Sequence, residues 1–161
     1  MRILLSSLVA FFLIATPASA QMIEKLTAEN VGATLTNVGL RYIASTDNRG
    51  HPVLQVDGTP FGAVGFNVLF YSCDDNGQCD DITLWSWYNA DRLTMDQSMH
   101  IWNDVLRESR NWSRAYVDQD GDPVLAMNIN ATGGIGSHNL QIMVNTYITE
   151  AQEYRSLVGQ N

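Results

Sequence analysis

Cys73 and Cys79 are the only cysteines of the 161-residue chain, and they bracket Asp74-Asp75-Asn76-Gly77-Gln78. If Asp75-Asn76-Gly77 is a three-residue hairpin loop with Gly77 in the left-handed conformation, Asp74 pairs with Gln78 and Cys73 falls opposite Cys79. Such a pair is non-hydrogen-bonded, the arrangement in which facing side chains lie closest. A disulfide is the chemistry this spacing supports. On the chain-entropy account, closing so short a loop contributes about 2 kcal/mol. A redox-active pair would be spaced Cys-x-x-Cys, and a structural zinc site would need a second ligand pair; the sequence contains neither.

Two acidic clusters could attract a cation: Asp74, Asp75, Asp80 and Asp81 around the cysteines, and Asp118, Asp120 and Asp122 further on. The second departs from an EF-hand loop, because Gly121 stands fourth rather than sixth and no closing Glu follows. Asp beside Gly is also ordinary turn chemistry. His51, His100 and His138 form no His-x-His or His-Glu-x-x-His unit. Gly134-Ile135-Gly136-Ser137 lacks both the βαβ context and the lysine of a phosphate loop, and Ser137 is not in a nucleophile elbow. No nucleophile, base and orienting acid can be connected by spacing. The expectation is a protein without catalytic residues, metal or cofactor. Asn111-Trp112-Ser113 and Asn130-Ala131-Thr132 match glycosylation acceptors, which matter only on a eukaryotic secretory route.

The elements that would hold these residues follow from periodicity and turns. Thr27 is suited to cap a helix reaching about Val38, with Val31, Leu35 and Val38 on one face and Gly39 at its end. Three hairpins are predicted. Residues 41–44 and 53–56 flank the first turn, 66–71 and 82–88 the second, and 114–117 and 124–129 the third; each turn carries Gly with Asn or Asp. A helix capped by Thr94 lies between the second and third hairpins, with Met95, Met99, Trp102 and Leu106 in its stripe and Arg107 and Arg110 near its end. Thr132-Gly133-Gly134-Ile135-Gly136 reads as a flexible joint. Ser137 is expected to cap a last helix striped by Leu140, Met143, Val144, Tyr147, Ile148, Ala151 and Tyr154. The expected class is α+β in the order α-ββ-ββ-α-ββ-α: an antiparallel sheet of three hairpins with helices packed on it.

Residues 1–20 read as a cleavable export signal. Arg2 precedes an apolar run from Ile3 to Ala15, Pro17 breaks it, and Ala18-Ser19-Ala20 offers the small residues of a cleavage site before Gln21. The run is shorter than the approximately 20 residues of a spanning helix. Residues 21–161 then form a single domain. Losing Arg2 and no acid takes the formal charge from −8 to −9. An acidic domain suits neither nucleic-acid phosphates nor an anionic bilayer. Export would bring the cysteines into an oxidising compartment, periplasmic or extracellular.

The stretch Arg114-Ala115-Tyr116-Val117-Asp118-Gln119-Asp120-Gly121-Asp122-Pro123-Val124-Leu125-Ala126-Met127-Asn128-Ile129-Asn130, followed by Gly133-Gly134, resembles the signature of the YbjN-domain family, bacterial proteins classed as sensory transduction regulators. Trp102-Asn103, Asn111 and Arg114 fit the same pattern. The Tyr71-Ser72-Cys73 to Cys79 hairpin resembles that of exported members. The resemblance implies a fold similar to type III secretion chaperones, which are small, acidic, dimeric and non-catalytic and hold partner polypeptides. It implies a periplasmic protein-binding, chaperone-like or regulatory module that binds another protein or itself. Export removes direct control of transcription. A small-ligand sensor and an unrecognised hydrolase are the alternatives. The hairpin arm with Trp85, Trp87 and Tyr88 is the place where an interface would form. Alternation sets Trp85 and Trp87 on one face and Leu84 and Ser86 on the other. Buried rings there would be core, the commoner fate of large aromatics; exposed rings would mark an interface.

Overall fold

Three turns of one design set the sheet. The structure is a computed structural model that describes residues 21–58, 65–88, 95–103 and 112–158. In it Asp47, Asp74 and Asp118 each open a hairpin turn. Each uses one carboxylate oxygen to accept the backbone N–H groups two and four residues on, at 2.9–3.0 Å. The N–H of each Asp donates to the carbonyl four residues on, at 2.9–3.0 Å. Gly50, Gly77 and Gly121 take φ of 85°, 71° and 92° to close the turns. That is left-handed backbone, where a Cβ costs roughly 1–2 kcal/mol. The opening acid of each turn therefore satisfies backbone donors.

The hairpins join β2 (Arg41–Thr46) to β3 (Pro52–Asp57), β4 (Phe66–Cys73) to β5 (Cys79–Trp87), and β6 (Arg114–Val117) to β7 (Pro123–Asn130). Together they form one six-stranded antiparallel sheet in the order β2-β3-β4-β5-β7-β6. Helix α1 (Ala28–Asn37) follows β1 (Met22–Ile23), α2 (Met95–Asn103) precedes β6, and β8 (Ile135–Gly136) leads into α3 (Ser137–Leu157). The class is α+β with an antiparallel sheet, as the turn chemistry required.

Thr27 caps α1 through a reciprocal box with Asn30. The start of α3 differs from expectation. Gly136 is its N-cap and offers no side-chain bond, while Ser137 is the first helical residue and donates its N–H to the Gln21 carbonyl at 2.8 Å. The glycine segment before it is held rather than loose. Met22–Ile23 pairs with Ile135–Gly136 in a separate two-stranded sheet. This tertiary pairing overrode the local reading of a flexible joint. The Thr94 cap and the predicted helical residues Leu106, Arg107 and Arg110 lie outside the described residues.

One sheet face is apolar and carries the helices. Leu54, Val56, Phe66, Val68, Phe70, Ile82, Leu84 and Leu125 are buried with Val31 and Leu35 of α1 and with Leu140, Val144, Tyr147, Ala151 and Tyr154 of α3. Fully burying one such aliphatic side chain contributes about 1.5–3 kcal/mol. Gly32 of α1 lies under the Tyr42 ring, and a Cβ there, 2.2 Å from the Tyr42 hydroxyl, would make that side chain shift. Several polar atoms inside the core are paired. Tyr147 donates to the Leu125 carbonyl at 2.9 Å and contacts Ser86 Oγ at 2.8 Å. Glu150, a buried acid within the α3 stripe, accepts the N–H groups of Trp112 and Ser113 at 2.9 Å and so ties α3 to the start of β6. Trp102 of α2 is buried edge-on against Tyr154, which also meets Tyr88.

Candidate binding face

The opposite face of the sheet carries the candidate site. Cross-strand register sets a row of side chains across all six strands: Ile43, Gln55, Asn67, Trp85, Ala126 and Arg114. A shorter row beside it holds Trp87, Val124 and Tyr116. Trp85 and Trp87 are two residues apart on β5, so both project outward, and their rings stack at 5.4 Å with planes 27° apart. The Trp85 indole N–H donates to the Tyr116 hydroxyl at 2.9 Å. Trp85 is thereby fixed from two sides, by a stacked ring and by a hydrogen bond. Trp87 is 49% exposed, and Tyr71 of β4 is 41% exposed on the same face.

Between these rings runs an open groove of about 430 Å³, lined among others by Tyr71, Asp81, Trp85, Arg114, Tyr116 and Asn128. Its polar walls are hydrogen-bonded within themselves. Thr83 donates to the Asn128 side-chain oxygen at 3.0 Å, and Asp81 accepts from Ser72 and Asn130. Partial burial, with the neighbouring Tyr116 phenol adding to it, pushes the Tyr71 hydroxyl pKa above the ordinary phenol value. Tyr71 therefore faces the groove as a neutral phenol at physiological pH. The chemistry available is stacking on flat aromatic surface, with Arg114 and planar polar groups at the border. That combination suits recognition of a polypeptide surface.

The three aromatic residues singled out in the sequence separate. Trp85 and Trp87 lie on the outer face. Tyr88 is not beside them: it is buried, its hydroxyl donates to the Ala151 carbonyl at 3.1 Å, and it has no surface to offer a partner. Alternation continued one residue past Trp87 sets Tyr88 on the core side with Leu84 and Ser86. Leu84 and Ser86 face the core. Cys73 and Cys79 form a disulfide, with Gly77 left-handed as the loop requires. Cys79 sends its N–H and carbonyl away from β4, to Leu26 at 2.8 Å in each direction. The disulfide hairpin is thus stitched to the segment that enters α1.

Of the acids weighed as cation ligands, Asp74 and Asp118 cap their own turns, Asp80 pairs with Lys25, and Asp81 belongs to the groove wall. Backbone N–H bonds, that of Gln78 foremost, hold the Asp74 carboxyl below its ordinary pKa. His51 sits at the first turn, His100 on α2 and His138 on α3. Tyr71, Tyr116 and Arg114 were missed as site residues by sequence reasoning. Their outward alternation was available as a signal, but only strand order shows that β4, β5, β7 and β6 are neighbours.

Residues 27–160 match the YbjN family, described as "Putative bacterial sensory transduction regulator". The fold is similar to that in "Crystal structure of YbjN, a putative transcription regulator from E. coli". The TM-score is 0.58 at 14% identity, over 87% of this chain and 92% of that one. It is also similar to an uncharacterized protein from Methanothermobacter thermautotrophicus, with a TM-score of 0.56 at 14% identity, over 83% and 96% of the two chains. No curated protein matches the sequence.

Proposed function

The chain belongs to the YbjN family, and from that premise we propose that it is a non-catalytic, exported binding module that holds another polypeptide in a chaperone-like or regulatory role. The observation that carries this reading is the stacked Trp85–Trp87 pair on the sheet face opposite the helices, with Trp87 half exposed. Exposed aromatic surface bordered by polar groups is what a protein interface uses. An acidic chain of formal charge −8 fits partners other than nucleic acid.

Export rests on residues 1–20, which lie outside the described residues, and it is supported by the Cys73–Cys79 disulfide, a bond that persists in oxidising compartments. The mature chain would begin at Gln21, work in the periplasm or outside the cell, and act apart from transcription. N-terminal sequencing of the extracytoplasmic protein tests this; a cytoplasmic chain beginning at Met1 would refute it.

The binding role is tested by capture from a periplasmic extract with the wild type and Trp87→Ala side by side. A polypeptide retained by the wild type and lost from the folded variant supports the reading. Equal retention by both removes the face from consideration. A recess of about 300 Å³ lined by Trp112, Met127, Asn139, Ile142, Met143 and Thr146 supports a second reading, a sensor for a small apolar ligand. A single metabolite that raises the melting temperature of a partnerless monomer would favour it.

A further inference from the structure

The groove on the outer face is one-sided in its hydrogen bonding. Its main side-chain acceptors are occupied. The two Asp81 oxygens receive Ser72 and Asn130, the Asn128 side-chain oxygen receives Thr83, and the Tyr116 hydroxyl receives the Trp85 indole N–H. Its donors are free. Among the described residues nothing accepts from the Arg114 guanidinium, the Tyr71 hydroxyl, the Tyr116 hydroxyl proton or the Asn128 side-chain nitrogen. Arg114 is exposed, and no ion pair among the described residues includes it. A carboxylate is an acceptor-only group, and a guanidinium holds it through two parallel bonds. A groove that offers a cation and neutral donors, with its own acceptors already used, is complementary to that group.

We propose that this groove takes the side-chain carboxylate of an acidic residue in an extended polypeptide segment, with Arg114 as its ion-pair partner and the Tyr116 hydroxyl as a further donor. The inference rests on the polypeptide-binding reading of this face and adds the residue type that the partner must carry. The groove is open, so a segment can run through it rather than end in it. Tyr71 keeps its proton at physiological pH because partial burial raises its pKa, and it remains a donor at the other end of the groove.

The acids of the same face stand away from Arg114. Arg114 lies against Ala126 and Asp81 against Asn130, roughly 13 Å apart along β7. Asp118 opens the turn at the far end of β6, again roughly 13 Å along the strand. Both separations exceed the screening length of about 8 Å at physiological ionic strength. The formal charge of −8 therefore disfavours an acidic partner at long range without removing the local pairing at Arg114. Register also sets the spacing of the segment. Trp87 lies against Val124, so Trp87 and Arg114 are two strands and two residues apart, about 12 Å over the sheet. An extended chain spans that distance in about three to four residues. A flat residue stacked on Trp87, proline or aromatic, thus stands that far from the acid.

The test is titration of the purified protein, followed by indole fluorescence and calorimetry, with synthetic peptides. The first carries Pro-Ser-Gly-Ser-Glu between Gly-Ser flanks and is blocked at both ends, so Glu is its only carboxylate. The second has Gln in place of Glu. The third ends at Pro-Ser-Gly-Ser with a free terminal carboxylate. The Glu peptide should bind roughly tenfold or more tightly than the Gln peptide, the worth of a charge-assisted pair. Arg114→Gln, with its fold checked by circular dichroism, should bind the Glu and Gln peptides equally, and Arg114→Lys should restore part of the preference. Equal binding of both peptides by the wild type, binding of neither, a preference that survives Arg114→Gln, or tightest binding of the free-ended peptide would overturn the proposal. The two readings fail separately. Binding that ignores Glu yet is lost in Trp87→Ala defeats this inference and leaves the aromatic face in place, whereas a Glu preference undiminished in Trp87→Ala defeats the aromatic-face reading.

Discussion

Asn103 and Ala115 exchange two hydrogen bonds across the end of α2 and the edge strand β6. The Asn103 side-chain nitrogen donates to the Ala115 carbonyl at 2.9 Å, and the Ala115 N–H donates to the Asn103 side-chain oxygen at 3.1 Å. A carboxamide offers one donor and one acceptor side by side, the same pattern a neighbouring strand would supply. The two edges of the sheet therefore differ: β6 is closed by a side chain, whereas among the described residues no strand covers β2.

Replacing Asn103 with Leu leaves both Ala115 groups without partners in a part-buried setting. The expected loss is about 1–3 kcal/mol, the desolvation cost of unsatisfied backbone polar groups. Urea unfolding followed by circular dichroism measures it, and Asn103→Asp, which keeps only the acceptor, should lose less.

The Cys73–Cys79 bond closes a loop of sequence separation 6. Reducing it, or replacing both cysteines with Ser, should cost about 2 kcal/mol in the unfolding free energy. The same variant should release the hairpin from Leu26, seen as faster hydrogen exchange at the Leu26 and Cys79 amides. Unchanged exchange there would mean that the backbone stitching alone holds the hairpin.

The two tryptophans should respond differently to truncation. Trp87→Ala removes a half-exposed ring and should change stability by less than about 1 kcal/mol, as surface substitutions do. Trp85→Ala also strands the Tyr116 hydroxyl and should cost about 1 kcal/mol more. Both should abolish partner capture. Denaturant midpoints and indole fluorescence separate the two effects.

Stability should fall at both ends of the pH range, for reasons of opposite sign. Asp74 is held below its ordinary pKa of 3.8 by backbone N–H bonds. It binds its proton less readily folded than unfolded, so its contribution is complete above pH 3.8 and is lost as pH falls through the lowered value. Burial raises the Tyr147 hydroxyl well above 10.0. It keeps its proton longer in the fold, so its contribution is complete below pH 10 and is lost as pH rises toward the raised value. Tyr147→Phe should flatten the alkaline limb while costing about 1–2 kcal/mol at neutral pH for the bonds to Leu125 and Ser86. Thermal melts between pH 3 and pH 11 follow both limbs.

The amino-acid sequence alone determined the features that arise within a few residues of chain. Asp-x-x-Gly specifies each hairpin turn because the carboxylate and a left-handed glycine close it locally, and the Cys73–Cys79 pairing follows from the middle one. The α3 stripe and the split of Trp85 and Trp87 from Leu84 and Ser86 follow from the periods of helix and strand. Family membership was likewise legible in residues 114–134. Tertiary structure decided what depends on neighbours remote in sequence. Ile135–Gly136 became a strand because Met22–Ile23 reached it. The candidate outer face was assembled only when strand order brought Tyr71, Trp85, Tyr116 and Arg114 together. Alternation says that a residue faces one side of its own strand, but helix packing decides which side of the sheet is covered, and that choice left the tryptophans on the surface.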